Sequence, residues 1–241
     1  MIQNIYRKKN DIESFSAYLK QIGGYDNITE AQLDSLSFEV AQELYFDGNC
    51  EKATPLFQSY LQKYGDGFFK INVQYYLGDC LNQRGYQTEA LPHFEYILQQ
   101  PKNNYTESSL LFASQILMNY NQYSQAVPYL VELETTAEKK TNVLLARKMQ
   151  IEAYSKLHEF SKLVAVANSY IVTDKVSQDE KRWANMQAAV AYDSLADTTN
   201  ALVKYRTVAV EYATIEGSEA KYRVASILFD QKKYEQSERE I

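Results

Sequence analysis

Several residue types that carry chemistry or interrupt helices are scarce in this chain of 241 residues. It contains 2 histidines, 2 cysteines, 1 tryptophan, 8 glycines and 4 prolines. Glycine and proline are the residues that helices tolerate least, so their scarcity favours a helical protein. The few histidines and cysteines leave little material for a catalytic or metal site, which needs several convergent side chains.

The individual histidines and cysteines support this interpretation. His93 falls on a helical stretch and His158 at a turn, and each is expected to be structural or solvent-exposed. Cys50 and Cys80 lack the C-x-x-C spacing of a redox or zinc motif, and we expect two separate thiols with no disulfide. The sequence also lacks phosphate-loop, dinucleotide-binding and hydrolase motifs. It therefore predicts no enzyme activity, no cofactor and no metal.

Two further absences restrict the partners. The sequence has no run of about 18 apolar residues, so direct membrane insertion is not expected. The net charge is −6 and the isoelectric point is near 5.1, which excludes the basic footprint of a nucleic-acid-binding protein. Residues 1–9 are too polar for a secretory signal.

What the sequence does have is clearest in residues 75–101. Gly78 shares a helical face with apolar neighbours and leaves room for a second helix. Gly85 then supplies a residue that accepts the positive φ of a tight turn. Beyond it, Ala90 and Phe94 continue the helical spacing, with Ala90 expected to face Gly78. The stretch therefore predicts a hairpin of two helices.

The same pattern recurs along the chain. The small residue of the second helix returns at spacings of about 36 to 38 residues, close to the roughly 34-residue period of a helix–turn–helix repeat. It is found at Ala53, Ala90, Ala126, Leu163, Ala201 and Ser237. The small residue of the first helix lies twelve positions earlier, at Ala41, Gly78, Ser114, Ile151, Ala189 and Ala225. Pro55, Pro92 and Pro128 share one register, and we expect each in the first turn of a second helix.

This pattern resembles the tetratricopeptide repeat (TPR), over nearly the whole chain. The resemblance implies an all-α fold, a right-handed superhelical solenoid of antiparallel helix hairpins. The fourth repeat departs from the pattern, since Ile151 and Leu163 replace the small pair and Ala167 replaces the bulky residue. The volumes are exchanged, which a core tolerates better than a net change.

We expect one TPR solenoid over residues 1–241. Residues 1–33 would hold an orphan second-type helix at about 8–21 and a connection, with Thr29 and Gln32 forming a capping box. The predicted repeats are 34–68, 71–104, 107–140, 144–180 and 182–216, with a partial repeat at 218–241. Both ends cut across a repeat, so we interpret the chain as a fragment of a longer protein. Uncapped ends expose apolar faces and favour self-association.

The resemblance also suggests a binding surface, because first helices line the concave face of TPR proteins. The predicted partner-binding residues there are Phe38, Gln42, Tyr45, Tyr75, Asp79, Asn82, Gln115, Asn119, Trp183, Met186 and Tyr222. Aromatic and amide side chains on one face suit peptide recognition. In the alternative interpretation, some of these tyrosines and Trp183 only fill space between repeats.

The inner positions also carry Glu152 and Asp193, which does not support the Lys/Asn/Arg clamp of chaperone-binding TPR domains. The sequence thus predicts a non-catalytic scaffold that binds a protein or peptide with polar-aromatic or basic character. The tyrosine-rich hairpins resemble bacterial envelope TPR proteins, which suggests envelope assembly and a periplasmic or outer-membrane-associated location if a signal lies upstream, and otherwise a cytoplasmic one. The alternative is a peptide-sensing module attached to an effector domain outside this chain.

Overall fold

The computed structural model describes residues 29–240, which fold into α-helices joined by turns and short loops. The expected helix at 8–21 and the last position, Ile241, lie outside the described residues. The helices are α1 (Glu30–Phe46), α2 (Cys50–Lys63), α3 (Lys70–Gln83), α4 (Gln87–Leu98), α5 (Thr106–Asn119), α6 (Tyr123–Thr136), α7 (Lys140–Lys156), α8 (Phe160–Ile171), α9 (Gln178–Ser194), α10 (Thr198–Ala209), α11 (Ile215–Asp230) and α12 (Tyr234–Glu240).

The chain divides into two compact units between Ile116 and Leu117, within α5. In unit 1 (to Ile116), consecutive helices from α1 to α4 pack against one another, and α1 also contacts α3. Its core contains fully buried Phe57 and Phe94 from the second helices, with Leu77 from the first helix α3. Burying such side chains contributes about 1.5–3 kcal/mol each.

In unit 2 (from Leu117), the helices from α6 to α12 pack consecutively, and the first helices α7, α9 and α11 also contact one another in order. Two core clusters lie between them. The fourth repeat contributes Ile151, Leu163 and Ala167 to one cluster, and all three are buried. The exchange of volumes that the sequence suggested is therefore accommodated within a single packed core.

The hairpin turns share one conformation. After each of six first helices, the second residue beyond the helix end has a positive φ: Gly48, Gly85, Asn121, His158, Ala196 and Lys232. At the Gly85 turn the N–H of Gly85 donates to the Asn82 carbonyl and that of Tyr86 to the Leu81 carbonyl, the pattern of a Schellman motif. The predicted role of Gly85 is confirmed.

The close approach at Gly78 has a specific cause. A Cβ added there would lie 3.0 Å from His93 Cβ and 3.2 Å from the Phe94 ring. His93 and Phe94 are therefore the neighbours that a larger side chain at position 78 would crowd.

The expected position of the prolines is wrong by one turn. Pro55, Pro92 and Pro128 are each the sixth residue of their helix, in its second turn. Each removes a hydrogen bond to the carbonyl four residues earlier. Those carbonyls belong to Glu51, Thr88 and Ser124, which are exposed residues.

The prediction of two separate thiols is also wrong, because Cys50 and Cys80 form a disulfide with a Cα–Cα distance of 5.1 Å. Cys50 is the first residue of α2 and Cys80 lies on α3. These helices belong to successive hairpins that pack against each other, so a separation of 30 residues in sequence becomes a contact.

The predicted capping box at the start of α1 is confirmed. The N–H of Gln32 donates to Thr29 Oγ1 at 3.3 Å, and the Thr29 N–H donates to Gln32 Oε1 at 3.0 Å. A second box, between Ser177 and Glu180, begins α9. Each satisfies N–H groups that a helix start leaves without partners.

Candidate functional site

Aromatic rings from the first helices of unit 1 stack on one another from hairpin to hairpin. Phe38 on α1 stacks on Phe69 with ring centroids 4.2 Å apart, and Tyr45 stacks on Tyr76 of α3 at 4.4 Å. Tyr75 stacks in turn on Tyr105, at the start of the next hairpin, also at 4.4 Å. We call these six rings, together with Phe46, the aromatic ladder.

Side-chain hydrogen bonds fix the hydroxyls of the ladder. The Tyr45 hydroxyl donates to Asp79 Oδ2 at 2.6 Å, and Gln83 Nε2 donates to the same oxygen at 2.8 Å. The Tyr76 hydroxyl accepts from Gln42 Nε2 at 3.3 Å and from the Tyr105 hydroxyl at 3.0 Å. Satisfied buried networks of this kind hold their members in one arrangement.

The environment of the ladder favours the protonated form of the Tyr45 and Tyr105 phenols. Burial, reinforced by the hydrogen bond to Asp79, raises the pKa of Tyr45 well above its usual value. Burial and the hydrogen bond to Tyr76 raise the pKa of Tyr105 in the same direction. Around neutral pH these hydroxyls therefore act as neutral donors, and their protons do not take part in acid–base chemistry.

One ring of the ladder is open to solvent. Phe46, at the end of α1, is 68% exposed, although its ring contacts Tyr45 at 5.4 Å and Tyr76 at 5.8 Å between centroids. An open cleft that begins at the next residue is lined by Asp47, Gly48, Asn49, Cys50, Glu51, Gln83 and Arg84. The Phe46 ring is exposed, packs on other aromatic rings and lies beside a polar cleft. These are the features of an aromatic side chain that anchors a protein–protein interface.

The residues predicted for the concave face in unit 1 differ in exposure. Gln42, Tyr45, Tyr75, Asn82 and Gln115 are half-buried, whereas Phe38 and Asp79 are buried. Five of the seven are half-buried and could offer part of their surface to a partner. The buried side chains of Phe38 and Asp79 instead stabilise the ladder, Phe38 by stacking on Phe69 and Asp79 by accepting a hydrogen bond from Tyr45.

The predicted residues of unit 2 differ in burial. Trp183 packs against the first core cluster, with Lys148 Nζ 5.8 Å from its ring centroid, and Met186 is buried in the second. Asn119 and Tyr222 are exposed.

Phe46 is the residue that the sequence prediction missed. The signal was present, because Phe46 directly follows Tyr45 and precedes the Asp47–Gly48 turn, where a helix end leaves side chains open to water.

The histidines occupy the kinds of position expected for structural or solvent-exposed residues. His93 Nδ1 lies 2.5 Å from Gln74 Oε1 and burial lowers the His93 pKa. His158 is an exposed turn residue. Across residues 29–240, no group of three or more His, Cys, Asp or Glu side chains is arranged to hold a metal ion. In the same region no helix has the length and apolar character required to span a bilayer.

Solved structures with stacked helical hairpins resemble this chain. YrrB, described as a TPR protein with an unusual peptide-binding site, superposes with a TM-score of 0.58 at 16% identity, covering 77% of this chain and 90% of YrrB. MamA from Desulfovibrio magneticus RS-1 gives 0.51 at 16% identity, covering 76% and 95%. MamA MSR-1 gives 0.52 at 14% identity, covering 79% and 97%. No protein-family model and no curated protein matches the sequence.

The chain is thus a protein of stacked helical hairpins. More specifically, it has the all-α TPR fold, and this prediction is confirmed.

Proposed function

We propose that unit 1 binds a peptide segment of a protein partner on the surface formed by Phe46 and the adjoining cleft. The observation that carries the proposal is the exposed Phe46 ring held on buried or half-buried tyrosines. A rigid aromatic side chain supplies contact area at low entropic cost, which makes it an effective anchor.

The charges of the cleft indicate the chemistry of the partner. Its rim carries exposed Asp47 and Glu51, while Arg84 at the other side donates to Thr54 Oγ1 at 3.3 Å and lies over the Tyr86 ring. The cleft thus has two exposed carboxylates, whereas its one guanidinium already interacts with Thr54 and Tyr86. This balance of charge favours a basic ligand. The segment therefore carries an apolar or aromatic residue for Phe46 and a Lys or Arg nearby.

The peptide-binding description of YrrB supports a peptide as the ligand class. The Cys50–Cys80 disulfide supports an oxidising location, because disulfides persist in extracytoplasmic compartments and are rare in the cytosol. The proposal therefore includes a role in assembly at the bacterial envelope.

The test is to select peptides from a displayed random library on the wild-type chain and to measure their affinity for variants. Phe46→Ser should weaken the selected peptides at least about tenfold, a loss of about 1.4 kcal/mol. Phe68→Ser is a matched control, since Phe68 is 88% exposed and precedes the start of α3, at the opposite end of that helix from Gln83. Equal affinity of the selected peptides for wild type and Phe46→Ser would refute the proposed site.

Charge variants test the partner chemistry separately. The double change Asp47→Lys and Glu51→Lys should weaken binding, and the wild-type affinity should fall as salt rises. Glu89→Lys, on the exposed side of α4, is the charge control. Selection of mainly acidic peptides would contradict the basic-ligand assignment.

A further inference from the structure

The two aromatic positions of α1 that contact the next first helix have counterparts on every first helix. Phe38 lies three residues before the small residue Ala41, and Tyr45 lies four residues after it. Both are covered by the following hairpin, through stacking on Phe69 and on Tyr76. These two positions therefore belong to the surface with which one first helix contacts the next.

In unit 2 the first of these positions is covered on α9, where the second, Asp193, is exposed, and both positions are open on α11. Met186 of α9 is buried in a cluster that also contains Val224 and Leu228 of α11. Their counterparts on α11, Tyr222 and Phe229, are 69% and 58% exposed. In the part of the chain that the structure describes, α11 thus presents a contact surface of the ladder type without comparable cover.

The arrangement of residues on this surface is self-complementary. Tyr222 lies four residues before Ser226, and Phe229 lies three residues after it. If a second copy of α11 packs antiparallel to the first, with the two helices crossing at Ser226, each Tyr222 lies beside the partner's Phe229. Arg223 lies three residues before Ser226 and Asp230 lies four residues after it. Both are exposed, and each Arg223 would form an ion pair with the partner's Asp230 in the same arrangement. An isologous contact requires this reciprocity.

We propose that two copies of this chain associate through α11, with Ser226 at the two-fold axis and with Tyr222 and Phe229 as the apolar anchors. Among the described residues Arg223 forms an ion pair with Glu219 at 3.8 Å, which is weak because both side chains are exposed. The proposal concerns unit 2 alone and does not depend on the function proposed for unit 1.

The first experiment measures mass against concentration by analytical ultracentrifugation of the 241-residue chain. The wild type should pass from monomer to dimer as its concentration rises. The double variant Tyr222→Ser and Phe229→Ser should raise the dissociation constant at least about tenfold and retain the helical circular dichroism signal. A wild type that stays monomeric, or a dimer unaffected by the double variant, would overturn the proposal.

A cysteine scan locates the axis independently of stability. Both native cysteines are joined to each other, so a new cysteine has no internal competitor among the described residues. Ser226→Cys should form a covalent dimer under mild oxidation that dithiothreitol reverses, and Ser124→Cys, exposed on α6, should form it much more slowly. Equal rates for the two variants would show that the copies do not meet at α11.

Discussion

Cys50 and Cys80 are joined by a disulfide that links the second helix of one hairpin to the first helix of the next. Cys80 directly follows Asp79, whose carboxylate accepts a hydrogen bond from the Tyr45 hydroxyl. The covalent link and the aromatic ladder therefore stabilise the same pair of hairpins. A TPR stack is otherwise held only by contacts between neighbours.

Removal of the disulfide should destabilise unit 1. For a separation of 30 residues, loss of the cross-link is expected to cost about 3.5 kcal/mol. The double variant Cys50→Ser and Cys80→Ser, measured by urea unfolding, gives the value. Dithiothreitol should destabilise the wild type by a similar amount and leave the double variant unchanged. A wild type that is indifferent to the reductant would contradict the structural role of the bond.

A second prediction concerns the turn at Ala196, which has a φ of 58°. An alanine in this left-handed conformation costs roughly 1–2 kcal/mol, and glycine avoids this cost at some entropic expense. Ala196→Gly should therefore stabilise unit 2 by about 1 kcal/mol. Fluorescence of Trp183, the single tryptophan, reports the unfolding of this unit. The reverse control is Gly85→Ala in unit 1, followed by circular dichroism, and a stabilising effect there would contradict the interpretation of the turns.

The bond between Tyr45 and Asp79 should contribute measurably to stability. Tyr45→Phe keeps the ring and removes one donor from a buried carboxylate, a change expected to cost about 1.5–3 kcal/mol. Tyr120→Phe is the control, because that ring is 48% exposed and its hydroxyl can be hydrated, so the change should stay within about 0.5 kcal/mol. Urea unfolding gives the free energy of unfolding of both variants. Equal values would show that the hydrogen bond from Tyr45 to Asp79 does not stabilise unit 1.

Acidification should destabilise the protein through His93. Burial lowers the His93 pKa, so the folded state binds this proton less readily than the unfolded state does. The stability associated with neutral His93 is fully present above the unfolded pKa of about 6.5 and is lost as the pH falls through the folded pKa. His93→Gln should reduce the pH dependence of unfolding in this window. An unchanged pH dependence in His93→Gln would show that His93 is not the titrating group.

The sequence predicted contacts within a hairpin better than contacts between hairpins. Gly85 and the Thr29–Gln32 box depend on neighbouring residues, and both were predicted correctly. The disulfide was missed because the lack of a C-x-x-C spacing says nothing about contacts between successive hairpins. Stacking joins residues about one period apart, as for Tyr45 and Asp79, which are separated by 34 positions.

Two local features were not predicted. Ala196 adopts the left-handed turn conformation although it is not a glycine. The exposure of Phe46 follows from its position at the end of α1, directly before the Asp47–Gly48 turn, and this signal was overlooked.

Photo-crosslinking from position 46 tests the central claim most directly. Benzoylphenylalanine would replace Phe46 in one sample and Phe68 in another, each with the tightest library-selected peptide, and mass spectrometry would map the products. We expect a crosslinked peptide from position 46 and little from position 68. Crosslinking from position 68 alone, or from neither position despite binding, would place the ligand away from the aromatic ladder and contradict the proposed function.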